Sequence, residues 1–402
     1  MRILTFSTLY PHAARPSHGI FVETRLRHLI ASGRVESKVV APVPWFPSRD
    51  ARFADYAVHA QAPHEERRHG IDVLHPRYPL LPKVGMSLAP LLLARSVRPL
   101  IERLLHDYAF DLIDAHYFYP DGVAAIMLGN RIGKPVVITA RGTDVNLIPR
   151  YRLPRAMIRW AAGRAAGIVT VARALKDDLI RIGVPAGRIE VLRNGIDLHL
   201  FRPLERRSAR FSLDFSRTTL LSVGHLIPRK GHELVIQALP MLREVDLVIV
   251  GDGPERQPLG ALARKSGVGD RVRFVGALPQ EDLRTYYGAA DALVLASSRE
   301  GWANVLLESM ACGTPVVASA AGGTPEVVAA PEAGVLIEAR TPQAVAEAVR
   351  RLFAHYPDRE ATRRYAESFG WDATTAGQLD LFSRILSARN GDSVKSGVAA
   401  AL

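Results

Sequence analysis

The sequence predicts an α/β protein built from two doubly wound domains facing across a cleft. Three observations carry this expectation. A chain of 402 residues is too long for one ordinary hydrophobic core. Short apolar runs, the length of buried parallel strands, alternate with stretches of helical periodicity in both halves. Several of those runs end in glycine turns that lead into helices, which is where open parallel sheets bind ligands. With 48% hydrophobic and 23% charged residues, both halves can fill their cores.

In the first half, strands are expected over 3–9, 35–43, 167–171 and 189–192. The stretch 111–122 reads as a strand ending in a polar, aromatic loop, and 135–144 as a strand with a charged tip. A helix over 20–32 stops at Gly33. Residues 49–77, rich in His, Arg and Pro, read as irregular. The stretch 78–105 mixes leucines with Lys83, Arg95, Arg98 and Arg103 and carries prolines. It fits an interfacial segment seated on a membrane and a core helix with a basic outer face about equally well. The polar, Arg-rich stretch 202–218 reads as a linker, which divides the chain into domains over 1–201 and 202–370. The second half repeats the pattern, with strands over 220–224, 247–251, 272–275, 292–296, 316–319 and 334–337 and helices over 231–242 and 341–353. A last helix within 371–388 is expected to pack back on the first domain, followed by a frayed tail over 389–402.

The single cysteine, Cys312, excludes an internal disulfide and fits a reducing cytoplasm. It lies in an apolar stretch and reads as a packed thiol. No apolar run is long enough to span a bilayer, and the opening residues read as a strand, not a signal peptide. The net charge of +12 is one-sided: residues 1–200 hold 28 Lys and Arg against 17 Asp and Glu, and the rest are nearly balanced. A solubility device would spread over both halves, so the basic first half is expected to face something anionic, such as a membrane surface.

The most informative stretch runs from Ser298 to Ser319. A strand leads into a loop carrying Glu300, and a helix over 305–311, with Asn304 as N-cap and Gly313 as C-cap, carries Glu308. An acid on the loop and an acid on the helix can grip two hydroxyl-bearing parts of one ligand. Taken alone, such a pair is more often a turn cap and a solvated helix residue. Its surroundings raise its value. Residues 224–231 follow a strand and precede a helix, so backbone amides beside Arg229 and Lys230 form an anion site suited to a diphosphate. Gly251 and Gly253 mark a second turn, and Gly322 and Gly323 a third, with Thr324 as N-cap and Pro325 at the first helical position. Together these turns and acids define a nucleotide-sugar pocket.

These residues resemble the donor half of retaining GT-B glycosyltransferases of family 4, the glycosyl transferases group 1. The likeness rests on 223–231, 250–253, Val275 and Gly276, Glu300 and Glu308, 311–317, Gly322 and Gly323, and extends to 194–197 and loosely to the glycine-bearing N-terminal loop. It implies two Rossmann-like domains and transfer of a sugar from a nucleotide diphosphate sugar to a glycan or lipid-linked acceptor. Glu308 would then bind the ribose hydroxyls and Glu300 the donor sugar's hydroxyls. Gly301, Trp302, Ala303, Asn304 and Val305 would fix sugar and phosphate through their loop. Lys230 and Arg229 would neutralise the departing diphosphate. Val275 would touch the base, while Gly224, Gly251 and Gly19 would bring backbone close to the donor. His116 would lie near the transferred sugar, and Arg141 and Asp144 on the acceptor side. The family commonly has Arg after the first glycine of the diphosphate motif, where this chain has His225. A neutral imidazole cannot replace a fixed guanidinium charge, so Arg229 is expected to carry that load.

Neither a metal site nor a cofactor is expected, and uridine diphosphate sugars are favoured over guanosine ones. The leading expectation is a transferase in surface polysaccharide biosynthesis, cytoplasmic and peripheral on the inner membrane face. A soluble transferase with a small-molecule acceptor is the alternative. A nucleic-acid-binding protein would also be basic, but the chain shows no recognised binding motif or stacking pattern.

Overall fold

A computed structural model describes residues 1–48, 50, 52, 55–80 and 85–399. Lys83, Arg49 and the last three residues of the expected tail lie outside the described residues. The chain forms two compact units, Met1–Arg193 with Asp372–Leu402, and Asn194–Trp371. The division therefore falls before residue 194 instead of after 201. Packing explains the shift: Gly195 lies against the Trp371 ring, the Ile196 amide donates to Phe369 O at 2.9 Å, and Arg363 Nη1 donates to Phe201 O at 2.6 Å. The expected linker also holds a helix, Arg206–Ser212, capped by the Glu205 carboxylate and tied down by Arg210 Nη1 on Asp291 at 3.0 Å.

The first unit is a Rossmann-like eight-stranded sheet. Its spatial order is Ile189–Val191, Gly167–Thr170, Val136–Ala140, Leu112–His116, Arg2–Phe6, Glu36–Val40, Ile71–Leu74 and Glu65–Arg68. All neighbours are parallel except the last pair. That antiparallel edge lies in the stretch read as irregular. The signal was a two-residue turn, His69 and Gly70, both at positive φ (49° and 81°), as tight hairpins require. A small parallel pair, Val43–Trp45 with Arg77–Pro79, stands beside it. The stretch that began at 78 contains a helix, Ala89–Asp107, which buries Leu93, Val97, Ile101 and Leu104 along one face. The C-terminal helix, Asp372–Ala399, continues through most of the segment expected to fray. It belongs to the first unit because Leu379, Leu381 and Phe382 join Ile3, Val22, Leu26 and Val39 in one apolar cluster.

The second unit is a six-stranded parallel sheet ordered Val272–Gly276, Val245–Val250, Thr218–Val223, Ala292–Leu295, Val316–Ser319 and Gly334–Ile337. The order reverses between Thr218–Val223 and Ala292–Leu295, and the crevice of a doubly wound sheet opens at the carboxyl ends of such a pair. The loops leaving these two strands carry Lys230 and Glu300. Two helix starts differ from expectation. Helix Asn304–Ala311 includes Asn304, with Ala303 at the cap, and helix Thr324–Val327 includes Thr324, with Gly323 at the cap. Among the described residues, no helix is long and apolar enough to cross a membrane.

Candidate active site

In the second unit the two basic residues and the loop acid meet. Lys230 Nζ donates to Glu300 Oε1 at 2.8 Å, and Arg229 Nη1 lies 3.6 Å from Glu300 Oε2. Arg229 also donates to Arg299 O at 2.8 Å, and Ser298 N donates to Arg229 O at 2.8 Å, so the two strand-end loops are stitched together. Glu300 is buried. Burial acts to raise its carboxyl pKa, but Lys230 and Arg229 outweigh it and hold the group below its ordinary value. Glu300 is therefore an anion at neutral pH. His225, by contrast, is exposed. The loop is held from behind by Gly322, at φ 56°, where an added Cβ would fall 1.9 Å from Glu300 O. Gly322→Ala should displace the Glu300 loop, lowering both thermal stability and activity. Unchanged kinetics in that variant would mean the loop position is unimportant.

Glu308 has a different environment. It is buried, accepts from Tyr287 Oη at 2.7 Å on Oε2, and faces Gln280 Nε2 at 3.4 Å on Oε1. No cation is among the causes of its shift; burial pushes it up to about 7, against the pull of the two hydrogen bonds. The two glutamates are thus driven in opposite directions, one locked as an anion and one poised near neutrality. The other residues of this unit expected on the donor side lie at strand ends of the same sheet or in the loop and helix start that follow Glu300. Gly224 and Gly251 end their strands, with Gly224 N donating to Val250 O at 3.0 Å and Gly251 N to Gly276 O at 2.8 Å. Val275 is half-buried on the edge strand. Trp302 and Ala303 are buried, whereas Gly301, Asn304 and Val305 are half-buried. Cys312 is buried, and burial pushes its thiol up to about 12, in line with a packing role.

In the first unit His116 ends a strand and is buried. Arg141 Nη2 lies 2.5 Å from its Nδ1, and Asp114 Oδ2 lies 3.1 Å from its Nε2. A guanidinium only donates, so Nδ1 accepts and Nε2 carries the proton toward Asp114. Burial drives the imidazole down to about 4 despite Asp114, so it is neutral at ordinary pH. Both ring nitrogens are engaged, which makes His116 a positioning group in this state, not a free base. Asp144 was expected on the acceptor side. Its carboxylate accepts from the Phe118, Arg141 and Gly142 amides at 2.7, 3.1 and 2.6 Å, which clamps two strand-end loops. Arg141 packs over the Phe21 ring, 5.3 Å from its centroid. Gly19 precedes helix Ile20–Ala31 at φ 66°, and a Cβ there would fall 2.4 Å from Leu9 O.

Several residues of these sites were not anticipated. Asp114 lies two residues before His116 and so shares its face of the strand, a spacing that could have revealed it. Gln378, from the C-terminal helix, donates to Asp114 Oδ2 at 2.9 Å and accepts from the buried Arg25 Nε at 2.8 Å. No local pattern announces that link. Gln378→Ala should destabilise the first unit by on the order of 2 kcal/mol in a denaturant melt, because two buried charged groups each lose a partner. A change within error would mean water replaces the amide at no cost. Asp121 is fully buried, accepts from Thr8 N at 2.7 Å, and is pushed by burial to about 8. Tyr117, directly after His116, adopts φ 86°, a costly conformation for a bulky residue. Among the described residues, no group of three or more His, Cys, Asp or Glu is placed to hold a metal.

The family model for Glycosyl transferases group 1 matches residues 205–369, and that for Glycosyltransferase Family 4 matches residues 51–200. A D-inositol 3-phosphate glycosyltransferase of Streptosporangium roseum is 32% identical over 306 residues, covering 68% of this chain and 69% of the relative. The chain belongs to family 4 of the GT-B glycosyltransferases. A Bacillus subtilis protein named as a teichuronic acid biosynthesis glycosyltransferase is 29% identical over 360 residues, covering 87% of this chain and 89% of the relative. In fold, the glycosyltransferase is similar to sucrose-phosphate synthase from Thermosynechococcus elongatus, with TM-score 0.78, 20% identity, and coverage of 96% of this chain and 100% of the other. It is also similar to Anabaena HepE, solved in complex with UDP, with TM-score 0.74, 20% identity and the same coverages.

Proposed function

We propose that this glycosyltransferase moves a sugar from a nucleoside diphosphate sugar, a UDP-sugar by preference, with retention of anomeric configuration and without a divalent ion. The observation that carries the reading is the 2.8 Å pair of Lys230 and Glu300 at the sheet's switch point. Glu300 and the Gly301 to Val305 loop hold the donor sugar, Glu308 holds the ribose, and Val275 lies against the base. As the anomeric C–O bond breaks, its electrons pass to the diphosphate, where Lys230 and Arg229 meet the developing charge. The acceptor hydroxyl attacks from the same face, and its proton passes to the leaving phosphate oxygen. No protein nucleophile is required. Arg141 fixes His116, and Asp144 fixes the loops around it, so both act on the acceptor side by positioning.

The proposed acceptor is a glycan or lipid-linked chain of surface polysaccharide synthesis, handled at the inner membrane face. The teichuronic acid relative and the basic first half support this reading. The relatives named for D-inositol 3-phosphate favour a second reading, a small soluble acceptor. Thermal-shift screening across nucleotide sugars tests the donor, since a ligand that binds only the folded state raises its melting temperature. Release of the matching nucleoside diphosphate and the anomeric configuration of the product test the reaction. The donor proposal is overturned if no nucleotide sugar stabilises the protein.

A further inference from the structure

Nine large hydrophobic side chains are exposed among the described residues, and six of them belong to one region of the first unit: Trp45, Met86, Leu88, Leu91, Tyr151 and Leu153. The fold brings them together from three parts of the chain. Trp45 pairs in register with Pro79, whose strand packs on helix Ala89–Asp107. The 3₁₀ turn Gly85–Ser87 packs both on that helix and on helix Arg152–Arg164. Tyr119 Oη donates to Met86 O and pins the turn. Leu88 and Leu91 are 48% and 53% exposed, so the turn and helix start present aliphatic side chains outward.

The described stretches that carry most of this patch are basic. Residues 73–80, 85–101 and 145–176 contain no Asp or Glu, yet together they hold ten Lys and Arg, three before residue 102 and seven in the last stretch. Arg95, Arg150, Arg152 and Arg159 are exposed. A packed core helix with a basic outer face accounts for the arginines of Ala89–Asp107. It does not account for Met86, Leu88 and Leu91 facing solvent.

We propose that this patch is where the protein sits on an anionic bilayer, with the aliphatic and aromatic side chains entering the interface and the arginines meeting lipid phosphates. Leu and Met offer nothing to a soluble polyanion but gain by leaving water at an acyl boundary. A symmetric dimer through the same face would set arginine against arginine, which is unfavourable. The surface deepens the membrane part of the proposed function, yet it rests on exposure and charge alone and does not depend on the donor assignment.

The test is flotation of the full chain with vesicles of phosphatidylcholine alone or with 30% phosphatidylglycerol, the composition chosen to be roughly that of an anionic leaflet. Wild type should float only with the anionic vesicles and be released by high salt. R95A/R152A should bind about 25-fold more weakly, as ~1 kcal/mol per arginine near such a surface implies. L88S/L91S should bind about 100-fold more weakly. All these positions are exposed, so both variants should melt like wild type. Wild type that stays soluble at low salt overturns the proposal. So does binding that needs the arginines but not the leucines, which would point to a soluble polyanion. A wild-type dimer that L88S/L91S converts to monomer also overturns it, in favour of a second copy. Both variants should retain the thermal shift with nucleotide sugar, so loss of flotation and loss of donor binding are read separately.

Discussion

Lys230→Ala should lower the rate of sugar transfer by about 100-fold or more, the scale seen when a fixed donor to developing charge is removed. Two effects add. On the proposed mechanism the departing diphosphate loses a cation, and Glu300 loses its 2.8 Å partner while remaining buried. Arg229, 3.6 Å from the other oxygen, cannot replace both contacts. His225→Ala should change the rate only a few-fold, because the exposed side chain carries no fixed guanidinium charge. Steady-state release of nucleoside diphosphate measures both variants. Comparable losses at the two positions would sink the assignment of Lys230 as the principal phosphate cation. Lys230→Arg should recover only part of the rate, since a planar fork does not occupy the place of a compact ammonium.

Glu308→Gln should remove a pH dependence from nucleotide binding. Burial raises the Glu308 carboxyl from 4.5 to about 7, so the folded protein keeps this proton where the unfolded chain has lost it. The associated stability is therefore full below 4.5 and is lost as pH rises through about 7. At pH 8 the ionised, cation-free carboxylate costs the empty protein on the order of 3 kcal/mol. Glu308→Gln should consequently raise the melting temperature at pH 8, with the difference fading near pH 5. Ribose hydroxyls held by Glu308, as proposed, would reverse the preference, because they donate to a carboxylate and so favour its ionised form. Wild-type affinity for the nucleoside diphosphate should rise between pH 6 and 8, with a proton released on binding. Calorimetry in buffers of different ionisation enthalpy counts that proton. Glu308→Gln should bind about 10-fold or more weakly, with no proton release. A wild-type affinity that is flat across this range would remove Glu308 from the ribose site. On the proposed ribose role, the protein tolerates a destabilising acid at the place where its ligand would make that acid favourable.

Legibility differed by kind of residue. The strands of the second unit were plain because buried parallel strands are near-continuous apolar runs, such as residues 292–295 and 316–319. The edge hairpin over Glu65–Arg68 and Ile71–Leu74 was missed because its charged, alternating residues resemble a loop, and only the His69 and Gly70 turn marked it. The boundary near 194 was misplaced because polar composition pointed to 202–218. Residues 194–201 owe their placement to contacts with Phe369, Trp371 and Arg363, far along the chain.

Local order was enough to predict two doubly wound units and the strand-end glycines, because backbone geometry leaves short-range patterns, while the roles expected of Lys230, Glu300 and Glu308 came from the family resemblance. The state of each group was decided by tertiary structure. Glu300 and Glu308 are the same residue type eight positions apart, yet Lys230 and Arg229 hold one down while burial beside Tyr287 lifts the other. His116 and Asp114 are close in sequence, but Gln378, which joins Asp114 to Arg25, comes from the far end of the chain. Charge, burial and hydrogen-bond partners are properties of neighbours in space, and those neighbours exist only once the sheet has brought its strand ends together.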